Sequence, residues 1–415
     1  MDPEQRQAPL HEANENSSEE SIPEPVDPAI LQKAAEIHDA CERRDVALLR
    51  SHAESRGGLI NDELRQRACT CSIGRPMLLG LFTPDFDDDT DEKGHGAAAG
   101  ASPDAWKHLP PHRDEPQVQL DVDRSFVYYP NDQSDSELRQ RKAELSALIT
   151  EVLRRYPYLC YFQGYHDVCQ VILLVLGPKW RAPVVARLSV LRIRDFMLPS
   201  LGPTTAQLRL LPDILDKADP KLRRHLSGVE PFYALSGTLT MYAHNIEAYH
   251  DIARLFDVLL AREAVFSIYM FAQIVIDRRD EIFEVDEADM LHVILGKVPP
   301  NMDLDTLVAD SVDLFNKHPP EALPSWKTIS SASVLKTVRN VDESAEQTMR
   351  DGHEYFEKQA RELQWAELQD RIKATVWAYR RPATTVGTAL AVAALALYLR
   401  RNPGAVNHVV GFFSR

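Results

Sequence analysis

Arg124 and Gln163 are the two side chains whose types and settings point most directly to chemistry. Arg124 closes the string VQLDVDR, in which Val118, Asp121 and Arg124 recur at every third position, and Gln163 stands in YFQGYHDV between Tyr161, Phe162 and Gly164. A guanidinium is planar, always charged and able to donate two parallel hydrogen bonds to an oxyanion. A primary amide offers a donor and an acceptor together, which is what orienting a water molecule requires. Each residue also has a plainer reading: Arg124 as a surface arginine paired with Asp121, and Gln163 as a cap for the helix that follows. Average residue frequencies place an aliphatic-x-x-Asp-x-x-Arg string in roughly one chain in four of this length, and Tyr-x-Gln-Gly in roughly one in thirty. The two strings therefore carry weight only together.

Other candidates are weaker. His166 and Asp167 read as a hydrogen-bonded structural pair, because no second histidine stands at metal-ligand spacing. The aspartates of DFDDDTDEKGHG lack the glycine and terminal glutamate of a calcium loop. Gly94-His95-Gly96 fits no phosphate loop, and Ser236 lacks the Gly-x-Ser-x-Gly elbow. These absences argue for a protein that holds no metal, nucleotide or other cofactor of its own.

The elements that would position Arg124 and Gln163 are helices. Ser134 and Glu137 form a capping box ahead of Leu138, Leu145, Leu148, Ile149, Val152 and Leu153, which mark one face up to Pro157. Beyond Gly164, Val168, Val171, Ile172 and Val175 fall at i, i+3, i+4 and i+7 until Gly177-Pro178. That second helix is expected to be largely buried. Upstream, Asp27-Pro28 is a start signal for a helix with Ile30, Leu31, Ala34 and Ile37 on one side. The later apolar segments, among them LRIRDFMLP and IARLFDVLLAREAVFSIYMFAQIVI, are mostly too long for strands and rarely alternate. The expected fold class is all-α, with the main domain over 28 to 335 and an acidic loop insert over 83 to 110.

With 415 residues and 44% apolar content the chain can build a substantial core. Its net charge of −15 argues against a nucleic-acid partner, which needs a basic face. The five cysteines show neither a disulfide framework nor paired C-x-x-C spacing and read as reduced thiols. Residues 1 to 27 hold eight acidic side chains against one arginine and almost no large apolar groups, the composition of a disordered tail. No basic n-region followed by an apolar stretch opens the chain, so cytosolic synthesis is expected. Residues 336 to 382 are charged and helix-favouring, a stalk with an amphipathic stripe of Leu363, Trp365, Leu368 and Ile372. They lead to ATTVGTALAVAALALYL, residues 383 to 399, uncharged and flanked by arginine pairs. Seventeen residues lie at the short end of a membrane span. A membrane anchor is expected there, followed by a short tail over 400 to 415, with everything before the anchor in the cytosol.

The order VQLDVDR then YFQGYHDV, in an all-helical chain, resembles the signature of TBC-domain GTPase-activating proteins for Rab GTPases. GGLINDELR is similar to that family's opening motif, and PSLGPTTAQLRLLPDIL, LSGTLTMYAHNI and IARLFDVLLA are similar to its later helices. The resemblance covers roughly 57 to 325, and the anchor makes the tail-anchored members of the endoplasmic reticulum the nearest likeness. It implies that the chain accelerates GTP hydrolysis by a GTP-bound Rab of the early secretory pathway, at the endoplasmic reticulum or early Golgi membrane. Arg124 then acts as an arginine finger and Gln163 as a second finger that orients the attacking water. Asp121 holds the arginine's approach, Tyr161 supports Gln163 by packing, and Gly164 lets the partner's backbone come close. The alternative is a non-catalytic, membrane-anchored Rab-binding scaffold. The sequence departs from the family at Cys69, where a tryptophan is usual, and at Gly237 and Met241, where large aromatics are more frequent.

Overall fold

The computed structural model describes residues 27–70, 104–131, 133–339, 343 and 347–402, and among these there is no β-strand. The all-α expectation therefore holds. The acidic tail lies, apart from Asp27, outside the described residues, as do 71–103 with the acidic run of the insert.

Three helices open the chain: α1 (Pro28–Arg43), α2 (Val46–Glu54) and α3 (Asp62–Thr70). Asp27 caps α1 by accepting from the Ala29 amide at 2.9 Å, with Pro28 in the first turn, where its missing N–H costs nothing. These helices bury Ile37, Ala40, Leu49, Ala53 and Leu59 in a small core of their own. The buried pair Arg65–Asp257 ties that core to the rest. Its guanidinium donates from Nε to Oδ1 at 2.9 Å and from Nη2 to Oδ2 at 3.1 Å, while Oδ2 also accepts from the Leu59 amide at 3.0 Å. Gly58, at φ +54°, allows this close approach, because a Cβ there would lie 2.5 Å from Asp257 Oδ2.

The main core is built by α4 (Glu115–Val122), α5 (Asp135–Arg155), α6 (Tyr165–Val175), α7 (Pro178–Arg187), α8 (Leu210–Ala218), α9 (Tyr249–Ala261), α10 (Phe266–Asp277), α11 (Ala288–Leu295) and α12 (Leu304–Lys317). The Ser134–Glu137 capping box forms and starts α5. Helix α6 runs through the middle, burying Tyr165, Val168, Cys169, Gln170, Val171, Ile172, Leu173 and Val175. Gly237 stays small because a Cβ would meet Phe271 at 3.1 Å and Tyr242 at 3.4 Å, so those two rings take the place that a larger residue would fill.

The last helix, α13 (Met349–Arg401), is one unbroken element of 53 residues, about 80 Å long at the standard rise. Its first turns, beyond the boundary expected at 335, pack on the core. Met349, Phe356 and Gln359 are buried, Tyr158 stacks on His353 with centroids 4.1 Å apart, and Gln359 donates to the buried Asp195 at 2.9 Å. Leu363 packs on the core, whereas Trp365, Leu368 and Ile372 are exposed. The stripe expected over these four residues is thus divided between the domain and the free part of the helix. No helix among the described residues is long and apolar enough to cross a membrane. The side chains of 378–386 lie outside the described residues, so the segment expected to span, 383 to 399, is described in full only as helical backbone.

Candidate functional site

Arg124 and Gln163 line one cleft of about 460 Å³, walled by α4 and the loop after it, the start of α6, and the segment from Leu235 to His244. Among the described residues this is the place where both sequence motifs open to solvent. Helix α4 ends at Val122, and the Arg124 amide donates to Asp121 O in a tightened last turn. That turn points the Arg124 side chain outward, where it is 67% exposed.

Its base is fixed from inside. Asp121, with a fully buried side chain, accepts from Arg124 Nη2 at 2.7 Å and from Gln117 at 3.0 Å through Oδ1, and from the Tyr161 hydroxyl at 2.9 Å through Oδ2. A buried carboxylate with three donors and one exposed partner is a hinge pin for that partner. One Nη is committed to Asp121 and Nε donates to Leu120 O at 3.3 Å, which leaves the other Nη at the outer edge to meet an oxyanion. Burial, then the hydrogen bond to Asp121, pushes the Tyr161 hydroxyl far above its usual range, so it stays protonated and donates.

Gln163 is exposed and makes no hydrogen bond to the described residues. It is not the cap of α6. Gly164 holds that position at φ +100°, and no side chain caps it. A Cβ on Gly164 would lie 2.5 Å from Thr240 Cγ2, so the glycine is required by a turn and a close approach within the fold. This reason is internal to the fold and stands beside the expected approach of a partner's backbone. Tyr161 likewise serves Asp121 through its hydroxyl, and its amide donates to Asp114 at 2.9 Å, so it anchors the loop on both sides of the cleft floor.

The structure adds residues that spacing alone left isolated. His166 Nδ1 lies 3.2 Å from the Tyr161 hydroxyl and its Nε2 3.3 Å from Asp167 Oδ1, and His244 Nδ1 reaches Asp167 Oδ2 at 3.0 Å. His244 is 77 positions from Asp167 in the chain, so no local pattern could have joined them. Burial lowers the His166 pKa, and the hydrogen bond to Asp167 raises that of His244. Gln170 on α6 accepts from the Phe126 amide at 3.0 Å, bracing the loop whose Val127 and Tyr128 stand exposed beside the arginine. No group of three or more His, Cys, Asp or Glu among the described residues is arranged to hold a metal.

Residues 98–283 match the model of the Rab-GTPase-TBC domain. The chain is 34% identical over 299 residues to TBC1 domain family member 20 of Bos taurus, covering 70% of this chain and 69% of that protein. It belongs to the Rab-GTPase-TBC domain family. It is also 34% identical over 219 residues to the GTPase-activating protein gyp10 of Schizosaccharomyces pombe, covering 51% of this chain and 58% of that one. Among solved structures it is similar to the Chlamydomonas flagellar RabGAP TBC domain, with 15% identity and a TM-score of 0.44 over 68% of this chain and 95% of that one. As a member of the TBC family the chain is cast as a regulator of a Rab GTPase, and Arg124 and Gln163 stand where its sequence motifs meet.

Proposed function

We propose that this TBC-domain protein accelerates GTP hydrolysis by a GTP-bound Rab, with Arg124 and Gln163 entering the nucleotide site in trans. One observation carries this reading: the exposed guanidinium and the exposed, unengaged amide line the same cleft, one braced by a buried carboxylate and the other mounted on a helix start. GTP hydrolysis passes through a loose transition state with charge spread over the γ-phosphoryl oxygens, so placement and electrostatics supply most of the catalysis. Arg124 offers its second Nη, whose N–H groups lie in the plane of the guanidinium, to those oxygens. Gln163 offers a donor and an acceptor to the attacking water. Asp121 and Tyr161 hold the arginine's base, and Gly164 fixes the turn that presents the glutamine. An arginine finger of this kind is worth about 10³ to 10⁵ in rate.

The reading extends to place. Residues 383 to 399 form an uncharged run at the end of α13, and the exposed Leu390, Val392, Leu395 and Leu397 support a membrane anchor that holds the domain at a cytosolic face. The proposal extends to an endoplasmic-reticulum or early Golgi membrane and a Rab of the early secretory pathway, a reading supported by the anchor-like segment together with the resemblance of the two motifs. Single-turnover hydrolysis by a panel of GTP-loaded Rabs, with and without the full chain, tests the activity. Acceleration of one or two Rabs by orders of magnitude supports it; binding without acceleration across the panel replaces it with a Rab-holding scaffold. Flotation of the full chain with liposomes, lost on removal of 383 to 399, tests the anchor.

A further inference from the structure

Six side chains form one line of polar contacts along the cleft, from the rim to the exposed arginine, hydrogen-bonded at every link but the one between His166 and Asp167, which meet as a close charge contact. His244 Nδ1 meets Asp167 Oδ2 at 3.0 Å, and Asp167 Oδ1 faces His166 Nε2 at 3.3 Å. His166 Nδ1 faces the Tyr161 hydroxyl at 3.2 Å, Tyr161 donates to Asp121 Oδ2 at 2.9 Å, and Asp121 Oδ1 receives Arg124 at 2.7 Å. The phenol has a single proton. When it goes to Asp121, the phenol oxygen presents lone pairs to His166, and that contact is a hydrogen bond only if Nδ1 carries a proton. When Nδ1 is bare, it competes for the phenol proton, and the buried Asp121 loses one of its three donors.

Two groups therefore bear on the protons of the His166 ring: Tyr161, by the hydrogen-bond contact at Nδ1, and Asp167, by its charge 3.3 Å from Nε2. A ring with both protons serves both. A ring with one must choose, and here His244 matters, because it supplies Asp167 with another donor and weakens the claim of that carboxylate on Nε2. Around the ring, Asp121 and Asp167 favour its charged form, while burial, His244 and Arg124 oppose it.

We propose that His166 is a positioning residue for Arg124: its Nδ1–H commits the Tyr161 hydroxyl to Asp121, and so fixes the carboxylate on which the guanidinium pivots, with Asp167 and His244 setting the ring's far side. This inference rests on the reading of Arg124 as the group that enters the GTPase.

The test uses the full chain and a double-mutant cycle. His166→Ala is expected to lower the single-turnover rate at saturation on the order of tenfold, the scale of a small misplacement of a catalytic group, with half-saturation unchanged. His166→Asn places an amide nitrogen where Nδ1 stands and restores most of the loss. In a Tyr161→Phe background, which has no hydroxyl to steer, His166→Ala costs nothing further. A loss from His166→Ala that persists undiminished in that background, or one that appears only in half-saturation, overturns the proposal. A second readout needs no GTPase. In the histidine-¹⁵N-labelled full chain, NMR should show the His166 ring protonated at Nδ1, with that signal shifted by Tyr161→Phe; a ring protonated at Nε2 alone overturns the proposal. If Arg124→Ala leaves hydrolysis unchanged, or no Rab responds, the activity reading fails by itself and the NMR result decides whether His166 steers Tyr161.

Discussion

Gly164→Ala should both destabilise the domain and disturb the glutamine it presents. The backbone at this position has φ +100°, outside the range that L side chains occupy comfortably, and a left-handed conformation costs a non-glycine residue about 1–2 kcal/mol. The added Cβ would lie 2.5 Å from Thr240 Cγ2, about 1 Å inside ordinary contact between carbons. Thr240 cannot swing aside freely, since its Oγ1 donates to Ser236 O at 2.9 Å and accepts from the His244 amide at 3.3 Å. Overpacking of this kind costs about 1–3 kcal/mol, so the substitution should cost about 2–5 kcal/mol in all. Thr240→Ser removes Cγ2 and keeps Oγ1, so Gly164→Ala/Thr240→Ser should recover the steric share and leave the backbone share. Urea unfolding followed by circular dichroism measures both. A single variant within about 0.5 kcal/mol of wild type, the scatter of ordinary surface changes, would refute the argument, as would a Thr240→Ser background that recovers nothing.

Three further outcomes are expected. Asp257→Ala leaves the buried Arg65 guanidinium only its contact with the half-buried Asp62, at 2.9 Å, and the Leu59 amide without its acceptor, and should cost about 3 kcal/mol in urea unfolding, with α1 to α3 becoming the first part to yield to protease; a cost below about 1 kcal/mol would contradict the buried pair's role. Phe356→Ala should cost about 3–5 kcal/mol and free the first turns of α13, seen as faster hydrogen exchange at 349–363; unchanged exchange would place those turns outside the domain. The His244 pKa is raised by its hydrogen bond to Asp167, so its contribution to stability is fully present below the unfolded value of about 6.5 and is lost as pH rises through the folded value. His166 has the opposite sign: burial lowers its pKa, so stability falls as acid forces a proton onto it. His244→Ala should therefore lower the urea midpoint at pH 6 and leave it nearly unchanged at pH 9; an equal loss at both would show that the ion pair contributes nothing.

The helical fold was legible because local signals agreed with tertiary need. Asp27-Pro28 and the Ser134–Glu137 box start the helices they announce, and the apolar period after Gly164 buries one helix through the middle of the domain. The two motifs of the cleft were also legible, since each is a short string with chemistry in it. The links between them were not. Tyr161 reaches Asp121 across 40 positions and His244 reaches Asp167 across 77, and such pairings arise from packing rather than period. The internal need for Gly164 was not legible for a related reason: a glycine's need for room is visible in sequence, but Thr240, which takes that room, is not. Which turns of the last helix pack on the core was not legible, because 342 to 376 is rich in charge along its whole length, and only the packing of Met349, Phe356 and Gln359 separates the docked turns from the exposed ones.

The central claim is that Arg124 and Gln163 act on the transition state of a Rab-bound GTP. The direct measurement is single-turnover hydrolysis at saturating full chain, for the wild type, Arg124→Ala and Gln163→Ala, with binding to the GTP-loaded Rab measured alongside. The account predicts that each substitution lowers the saturated rate at least about a hundredfold while binding changes little, because each group engages chiefly as charge develops. A variant of either residue that keeps most of the wild-type rate, or one that loses affinity and not rate, would contradict it.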